Sequence, residues 1–251
     1  MPTLGKPLLE FDRLPSTNDL AREMAAKGAS EGTTLLAREQ TAGRGRLGRS
    51  WASAAGQGLY TSIILRPHIA PRRFSIMTLA SAIAVAETLM TGFGASADIK
   101  WPNDVMISNR KVCGILMETA TEADLIDYAV LGIGVNLGQA EFPDDIRDYA
   151  TSLLIETGRQ VTPEEFLAPL LERLECWYRA AIDSPGQCLT TWEQLSSYAR
   201  GCRVRVMSSG SEFEGITMGL TDTGSLIVVL PDGERREVIS GEVSLRKSRN
   251  L

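Results

Sequence analysis

The sequence predicts an α+β fold: an antiparallel or mixed sheet with helices, followed by a small β-barrel. Three observations carry that prediction. Short strand-like runs follow one another between Asp98 and Val135. A well-capped amphipathic helix starts near Thr162. From Arg200 onward the chain breaks into short strands separated by turns.

Taken in order, Pro15-Ser16-Thr17-Asn18-Asp19 precedes Leu20 to Ala26, and a Ser16 or Thr17 hydroxyl can accept from an orphan amide of the first turn, so a helix begins there and ends at Gly28. Thr33 to Ala37 and Leu59 to Leu65 read as strands, separated by a Gly- and Arg-rich exposed loop. Ile76 to Met90 reads as a buried helix; at about 15 residues, interrupted by Thr78, Ser81, Glu87 and Thr88, it falls short of a bilayer span. Strands follow at Asp98 to Trp101, Val105 to Ile107, Lys111 to Glu118 and Leu125 to Val135, with Ser108-Asn109-Arg110 closing a hairpin. Thr162-Pro163-Glu164-Glu165 is a capping box with proline at the first helical position. Phe166, Leu167, Leu170, Leu171, Leu174 and Trp177 then recur at helical spacing. A second amphipathic stretch runs from about Leu189 to Tyr198.

The barrel strands are Arg203 to Val206, Glu214 to Met218, Leu226 to Leu230 and Glu237 to Ile239, turned at Ser209-Gly210, Thr223-Gly224 and Asp232-Gly233. The chain thus divides into residues 1–199 and 200–251. A module of roughly 50 residues is near the lower limit for independent stability and is expected to lean on the larger domain.

Of 251 residues, 43% are apolar and 23% charged, which fits a globular chain and neither disorder nor a coiled-coil design. With 26 Lys+Arg against 31 Asp+Glu the net charge is -5, so the chain is not built to coat nucleic acid and any anion site is local. The chain opens without a secretory signal, which makes the cytoplasm the default compartment. Cys113, Cys176, Cys188 and Cys202 form no CxxC pair and no disulfide framework. His68 is the sole histidine, between Pro67 and Pro71 in what reads as a surface loop, which removes histidine triads and His-ligated zinc.

The densest chemical signal is Gly43-Arg44-Gly45-Arg46-Leu47-Gly48-Arg49-Ser50-Trp51. Glycines let the backbone approach an anion and arginine forks bind phosphate or carboxylate, so this is a candidate anion loop; a solvated basic loop is the plain alternative. The segment satisfies GxGxxG, but no strong helix follows and no acidic residue occurs between Glu39 and Glu87 to hold a ribose, so a dinucleotide fold is disfavoured. A Walker motif is absent. In Lys100-Trp101-Pro102-Asn103-Asp104, the proline should splay Asn103 and Asp104 into a loop, where Asp104 could hold a divalent metal or orient Lys100. A capped turn with a surface Lys-Asp pair is equally consistent. Alternation from Lys111 to Glu118 puts Lys111 on one face with Cys113, Ile115 and Met117, and a lysine among apolar neighbours usually meets a negative ligand or an internal carboxylate. Gly132-Ile133-Gly134-Val135-Asn136-Leu137 suits close packing against a ligand, or a strand with a bulge.

In this order, the Ser16-Thr17-Asn18 segment, Gln40, GRGRLGRSW, KWPNDV, KVCGILME and GIGVNL resemble the biotin-protein ligases, and the end of the barrel, Gly241 to Arg246, resembles that family's C-terminal domain. The resemblance implies a sheet like that of class II aminoacyl-tRNA synthetases followed by an SH3-like barrel. It implies adenylation of biotin with ATP and magnesium, then transfer of biotin to a lysine of a biotin carboxyl carrier domain of acetyl-CoA carboxylase type. Ser16, Thr17, Asn18, Gln40, Gly43, Arg44, Gly45, Arg46, Lys111 and Gly114 would surround biotin. Arg44, Arg46, Arg49, Trp51, Lys100, Asn103, Asp104 and Asn136 would lie near ATP, with Asp104 the candidate magnesium ligand and Arg46, Lys111, Lys100 and Asp104 the catalytic set. The ligase-only form is expected, since about 15 residues before Ser16 are too few for a helix-turn-helix, and with it no operator binding. Family members homodimerise, and the same is expected here. No membrane association is expected. Lipoate-protein ligase and a non-catalytic biotin or nucleotide sensor are the competing readings.

Overall fold

A computed structural model of the chain describes residues 4–67, 69–122, 125–208, 211–239 and 242–245. His68, the Ser209-Gly210 turn, Gly241 and Arg246 lie outside the described residues. The larger sheet has seven strands: β1 (Leu8–Phe11), β2 (Thr34–Ala37), β3 (Gly58–Leu65), β4 (Ala97–Lys100), β5 (Asp104–Ile107), β6 (Arg110–Glu122) and β7 (Leu125–Asn136). They lie in the order β1-β2-β3-β7-β6-β5-β4, with β1 and β2 parallel and the other pairs antiparallel, which makes the sheet mixed. β1 has no strand signal of its own, because Leu8-Leu9-Glu10-Phe11 does not alternate; its pairing with β2 makes it a strand. The predicted hairpin between β5 and β6 turns on Ser108 and Asn109, both at positive φ, 51° and 61°.

One face of this sheet carries α1 (Thr17–Ala26), whose N-cap is Ser16, accepting from the Asp19 N–H at 3.3 Å. Ala21 and Ala25 of α1 pack on Leu35, Ile64 and Val130. The other face carries α2 (Phe74–Glu87), α4 (Pro163–Asp183) and α5 (Pro185–Gln194), with Ile83, Phe166 and Trp192 in the main core beside Ile115 and Ile133. The short α3 (Leu153–Thr157), capped by Ser152, escaped the sequence reading. α4 opens with the predicted capping box, Glu165 N–H to Thr162 Oγ1 at 3.2 Å and Thr162 N–H to Glu165 Oε2 at 2.8 Å. α5 starts at Pro185 and stops at Gln194, earlier at both ends than the amphipathic pattern suggested. The helical stretch through α2 is longer than its apolar core indicated: Pro71–Gly92 is 22 residues, long and apolar enough by composition to span a bilayer, and 67% of its most apolar window is buried inside the fold.

The C-terminal strands, β8 (Arg200–Ser208), β9 (Ser211–Leu220), β10 (Leu226–Val229), β11 (Arg235–Val238) and β12 (Glu242–Leu245), form an antiparallel sheet in the order β11-β10-β9-β8-β12. It does lean on the larger sheet. Val204, Val206, Leu226 and Val228 belong to the same continuous core as α2. The β9–β10 turn is keyed in by two hydrogen bonds, from the buried Trp101 Nε1 to the Gly224 carbonyl at 3.1 Å and from the Ser75 hydroxyl to the Thr223 carbonyl.

Two local expectations are corrected. Asp104 does not lie in a loop but is the first residue of β5, paired with Lys100 across a tight turn at Trp101-Pro102-Asn103. Lys111 does not share a face with Cys113. The register of β5 on β6 slips between Val105–Cys113 and Met106–Lys111, a bulge that buries both Val112 and Cys113 and turns the lysine to the opposite face, beside Gly114.

Candidate active site

The pairing register assembles the site. Tyr60 on β3 stands opposite Gly134 on β7, Gly134 opposite Gly114 on β6, Gly114 opposite Asp104 on β5, and Asp104 opposite Lys100 on β4. Directly opposed residues of antiparallel strands point to the same face. The KWPND, KVCG and GIGVN motifs therefore meet on one transverse row, on the α1 side of the sheet. Above that row lies a cavity of about 530 Å³.

Gly114 and Gly134 form the floor because the Trp51 indole rests on them. A methyl group at Gly134 would sit 2.5 Å from Trp51 Cε2 and Nε1, and one at Gly114 2.9 Å from Trp51 Cζ3. Lys111 Nζ lies 5.4 Å from the centre of the indole ring and 2.6 Å from Asp104 Oδ1. The Gly-Arg loop closes on itself, with Gly45 N–H to the Arg49 carbonyl at 2.7 Å and Trp51 N–H to the Gly43 carbonyl at 2.8 Å, which fixes the indole relative to the arginines.

At one end of the cavity the polar residues of α1 are interlocked. Gln40 Oε1 accepts from Thr17 N–H at 2.8 Å and Thr17 Oγ1 at 3.0 Å, and its Nε2 donates to Ser53 Oγ at 2.8 Å. Ser62 Oγ lies 2.7 Å from Thr17 Oγ1 and 2.6 Å from Asn18 Oδ1. Asn18 Nδ2 donates to Glu118 at 3.0 Å. The Arg44 guanidinium bridges Asp19 at 2.7 Å and Glu118 at 2.9 Å. Burial works against its charge, but the Glu118 and Asp19 carboxylates outweigh that and leave its pKa above the ordinary arginine value. Arg44 thus serves as the post that fastens the loop to α1 and β6.

At the other end Arg46 Nη1 donates to Asn103 Oδ1 at 3.1 Å. Asn103 is itself clamped to β6, with its Nδ2 donating to the Ile115 carbonyl at 2.8 Å and its carbonyl accepting from Ile115 N–H at 3.0 Å. Cations from three segments, Arg46, Lys100 and Lys111, line this end. Among the described residues no group of three His, Cys, Asp or Glu could hold a metal. With Asp104 engaged by Lys111, the residues do not fit a resident metal ion.

Of the residues singled out in the sequence, Ser16, Thr17, Asn18, Gln40, Arg44, Gly45, Arg46, Arg49, Trp51, Lys100, Asn103, Asp104, Lys111 and Gly114 all line this cavity. Gly43 and Asn136 do not. Gly43 lies beneath Trp51 and Ser53, where a methyl group would meet the Trp51 carbonyl at 2.4 Å. Asn136 is buried and bridges backbone, its Nδ2 donating to the Thr151 carbonyl at 3.0 Å and its Oδ1 accepting from Gln139 at 3.2 Å. Sequence reasoning missed Tyr149, Val243 and the partners of Arg44, Asp19 and Glu118. Tyr149, 72% exposed, reaches the cavity because its carbonyl accepts from Lys111 N–H at 2.6 Å. No local signal marks a loop that folds back in this way. Val243 comes from the C-terminal sheet.

Residues 10–136 match the Biotin/lipoate A/B protein ligase family and residues 201–246 the Biotin protein ligase C terminal domain. The chain belongs to the biotin protein ligase family. It is 37% identical over 233 residues to the biotin--[acetyl-CoA-carboxylase] ligase of Paracoccus denitrificans, covering 90% of this chain and 95% of that one. It is 36% identical over 249 residues to the bifunctional ligase/repressor BirA of Bacillus subtilis, covering 96% of this chain and 75% of the relative. Among solved structures, the biotin protein ligase from Aquifex aeolicus in complex with biotin and ATP superposes with a TM-score of 0.82 at 32% identity, covering 97% of this chain and all of that one. Membership of the ligase family accounts for both sheets, since one family domain spans most of the larger sheet and the other lies within the C-terminal strands.

Proposed function

We infer that this chain activates biotin with ATP to biotinyl-5'-AMP and transfers biotin to a lysine of the carrier domain of acetyl-CoA carboxylase. The observation that carries the reading is the transverse row from Tyr60 to Lys100, which sets a glycine floor under Trp51 next to Lys111, Lys100 and Arg46 in a single cavity. In the first step the biotin carboxylate attacks the α-phosphorus and pyrophosphate leaves. Two anions must meet, so the step asks for cations rather than for a strong base, and the Arg46, Lys100 and Lys111 charges stabilise the phosphorane-like transition state. In the second step the acceptor amine attacks the mixed anhydride, AMP leaves, and the amine gives up a proton. A loop fastened at Arg44 and carrying Arg46 over the site excludes water from the acyl-adenylate.

Thr17, Asn18 and Gln40 supply the polar end for the biotin ring, and Trp51, resting on Gly114 and Gly134, supplies the apolar wall for the adenine. Magnesium would come in with ATP rather than as a resident ion; Asp104 is the cavity carboxylate that would meet it, and the ion would neutralise charge on the phosphates. Residues 1–199 form the catalytic domain and 200–251 the C-terminal domain. The chain works in the cytoplasm and forms a homodimer, for which sedimentation is the check.

The test is single-turnover transfer: protein, magnesium, labelled ATP and biotin, then a carrier domain, with lipoate in parallel. Biotin-dependent AMP and a labelled carrier lysine are expected. A preference for lipoate reassigns the pocket, and tight biotin binding without adenylate makes the chain a sensor.

A further inference from the structure

Glu156 touches neither the cavity nor any residue that the ligase reading uses, yet it is the most buried carboxylate in the ion pairs described, its side chain 10% exposed. It lies on the short α3 and accepts three hydrogen bonds: from Arg110 Nη2 at 2.8 Å, Ser108 Oγ at 3.0 Å and Thr151 Oγ1 at 2.6 Å. Two of these donors belong to the β5–β6 hairpin and the third to the segment that follows Tyr149.

That third contact leads straight to Lys111. Thr151 N–H donates to the Lys111 carbonyl at 2.9 Å, and Lys111 N–H donates to the Tyr149 carbonyl at 2.6 Å, so residues 149–151 grip both backbone groups of the lysine as a short parallel bridge. Lys111 needs such a grip. It pairs with Met106 next to the bulged Val112, where the β5–β6 ladder is interrupted on one side, and the bridge to residues 149–151 gives its backbone a second hold. A carboxylate that ties the hairpin turn and the 149–151 segment together holds the bridge in register. Its oxygens accept from the buried Thr151 hydroxyl and from the more exposed Arg110 and Ser108 side chains, so one carboxylate joins the 149–151 segment to the hairpin.

We propose that Glu156 is a positioning residue for catalysis: it locks the 149–151 segment onto the backbone of Lys111 and so sets both the lysine and the Tyr149 ring at the cavity. The proposal rests on the ligase reading, because it assigns Lys111 a role in adenylate formation. It predicts that the effect of Glu156 runs through the bridge, so that removing the Thr151 hydroxyl reproduces part of it.

The experiment compares wild type, Glu156→Gln, Glu156→Ala and Thr151→Val in the full chain. It measures melting temperature, amide hydrogen exchange at Lys111 and Thr151, and KM and maximal rate of biotin-dependent pyrophosphate release. Expected are faster exchange at those two amides in all three variants and a fall in maximal rate of about tenfold or more for Glu156→Ala at a temperature where it is folded. Glu156→Gln, which keeps an acceptor oxygen, should recover part of that rate. Unchanged exchange at Lys111, or a lower melting temperature with a wild-type rate, overturns the proposal and reduces Glu156 to a structural ion pair. The exchange measurement separates the two levels of inference: a wild type that makes no adenylate defeats the ligase reading whatever the variants do, whereas slow exchange in the variants defeats only the assignment of Glu156.

Discussion

Lys111 Nζ lies 2.6 Å from Asp104 Oδ1 across the β5–β6 pair. The lysine is thus held over the glycine floor before any ligand arrives, and a phosphate entering the cavity must draw it from a neighbouring carboxylate. Lys111→Met should lower the rate of adenylate formation by about 10²- to 10³-fold, as loss of a preorganised charge does. Asp104→Asn should cost less, because it frees the lysine while removing its tether. Pyrophosphate release is the measurement, and a Lys111→Met rate within about threefold of wild type rules out an electrostatic role.

The floor admits no side chain. Gly134→Ala would place a methyl 2.5 Å from the indole of Trp51, so the ring must leave the floor. Overpacking of this kind costs about 1–3 kcal/mol of stability. ATP affinity should fall with it, and titration calorimetry with a non-hydrolysable ATP analogue alongside denaturant unfolding reads both. A variant that binds the analogue as wild type does would show that Trp51 is not the wall of the adenine site.

Arg46 reaches the site through Asn103 rather than through the carboxylates that hold Arg44. Arg46→Gly should therefore leave the loop fastened, preserve part of adenylate formation and release the intermediate. The readout is free biotinyl-AMP in solution and biotin on non-carrier lysines; release at the wild-type level refutes the retention role.

Stability at high pH follows from the tyrosines. Burial pushes the Tyr198 phenol up to about 12, with the Asp98 charge adding to it, and burial raises Tyr60 and Tyr178 as well. The folded chain holds these protons more tightly than the unfolded chain, whose tyrosines titrate near pH ~10. Their contribution is whole below about pH 10 and is lost as the pH rises toward and through about 12. The urea midpoint should hold steady up to about pH 9 and fall beyond about pH 10, less steeply in Tyr198→Phe. A midpoint that stays level to about pH 11.5 would show that these phenols titrate alike in both states.

What the sequence determined by itself was local or modular. Capping at Ser16 and Thr162, the Ser108-Asn109 turn, the buried helix after Phe74 and the strand-rich end after Arg200 are each written in residues close along the chain, where hydrogen bonding and φ preferences act. So were the motifs that line the cavity, because a Gly-rich arginine loop and a lysine beside small residues carry their chemistry in their composition. The tertiary structure decided what depends on register and on return of the chain. Alternation assigns Lys111 to the core face, and one bulged residue moves it to the site. Arg44 reads as an anion ligand, and only the packing of α1 on β3 and β7, which brings Asp19 near Glu118, gives it to those two carboxylates. Asn136 reads as a ligand residue and instead braces backbone, while Tyr149 and Glu156 carry no signal until the segment after β7 folds back onto Lys111. The physical reason is the same in each case: side-chain period is set within a strand, but which strands pair, where the ladder slips and which loop closes over it are settled by contacts between residues dozens of positions apart.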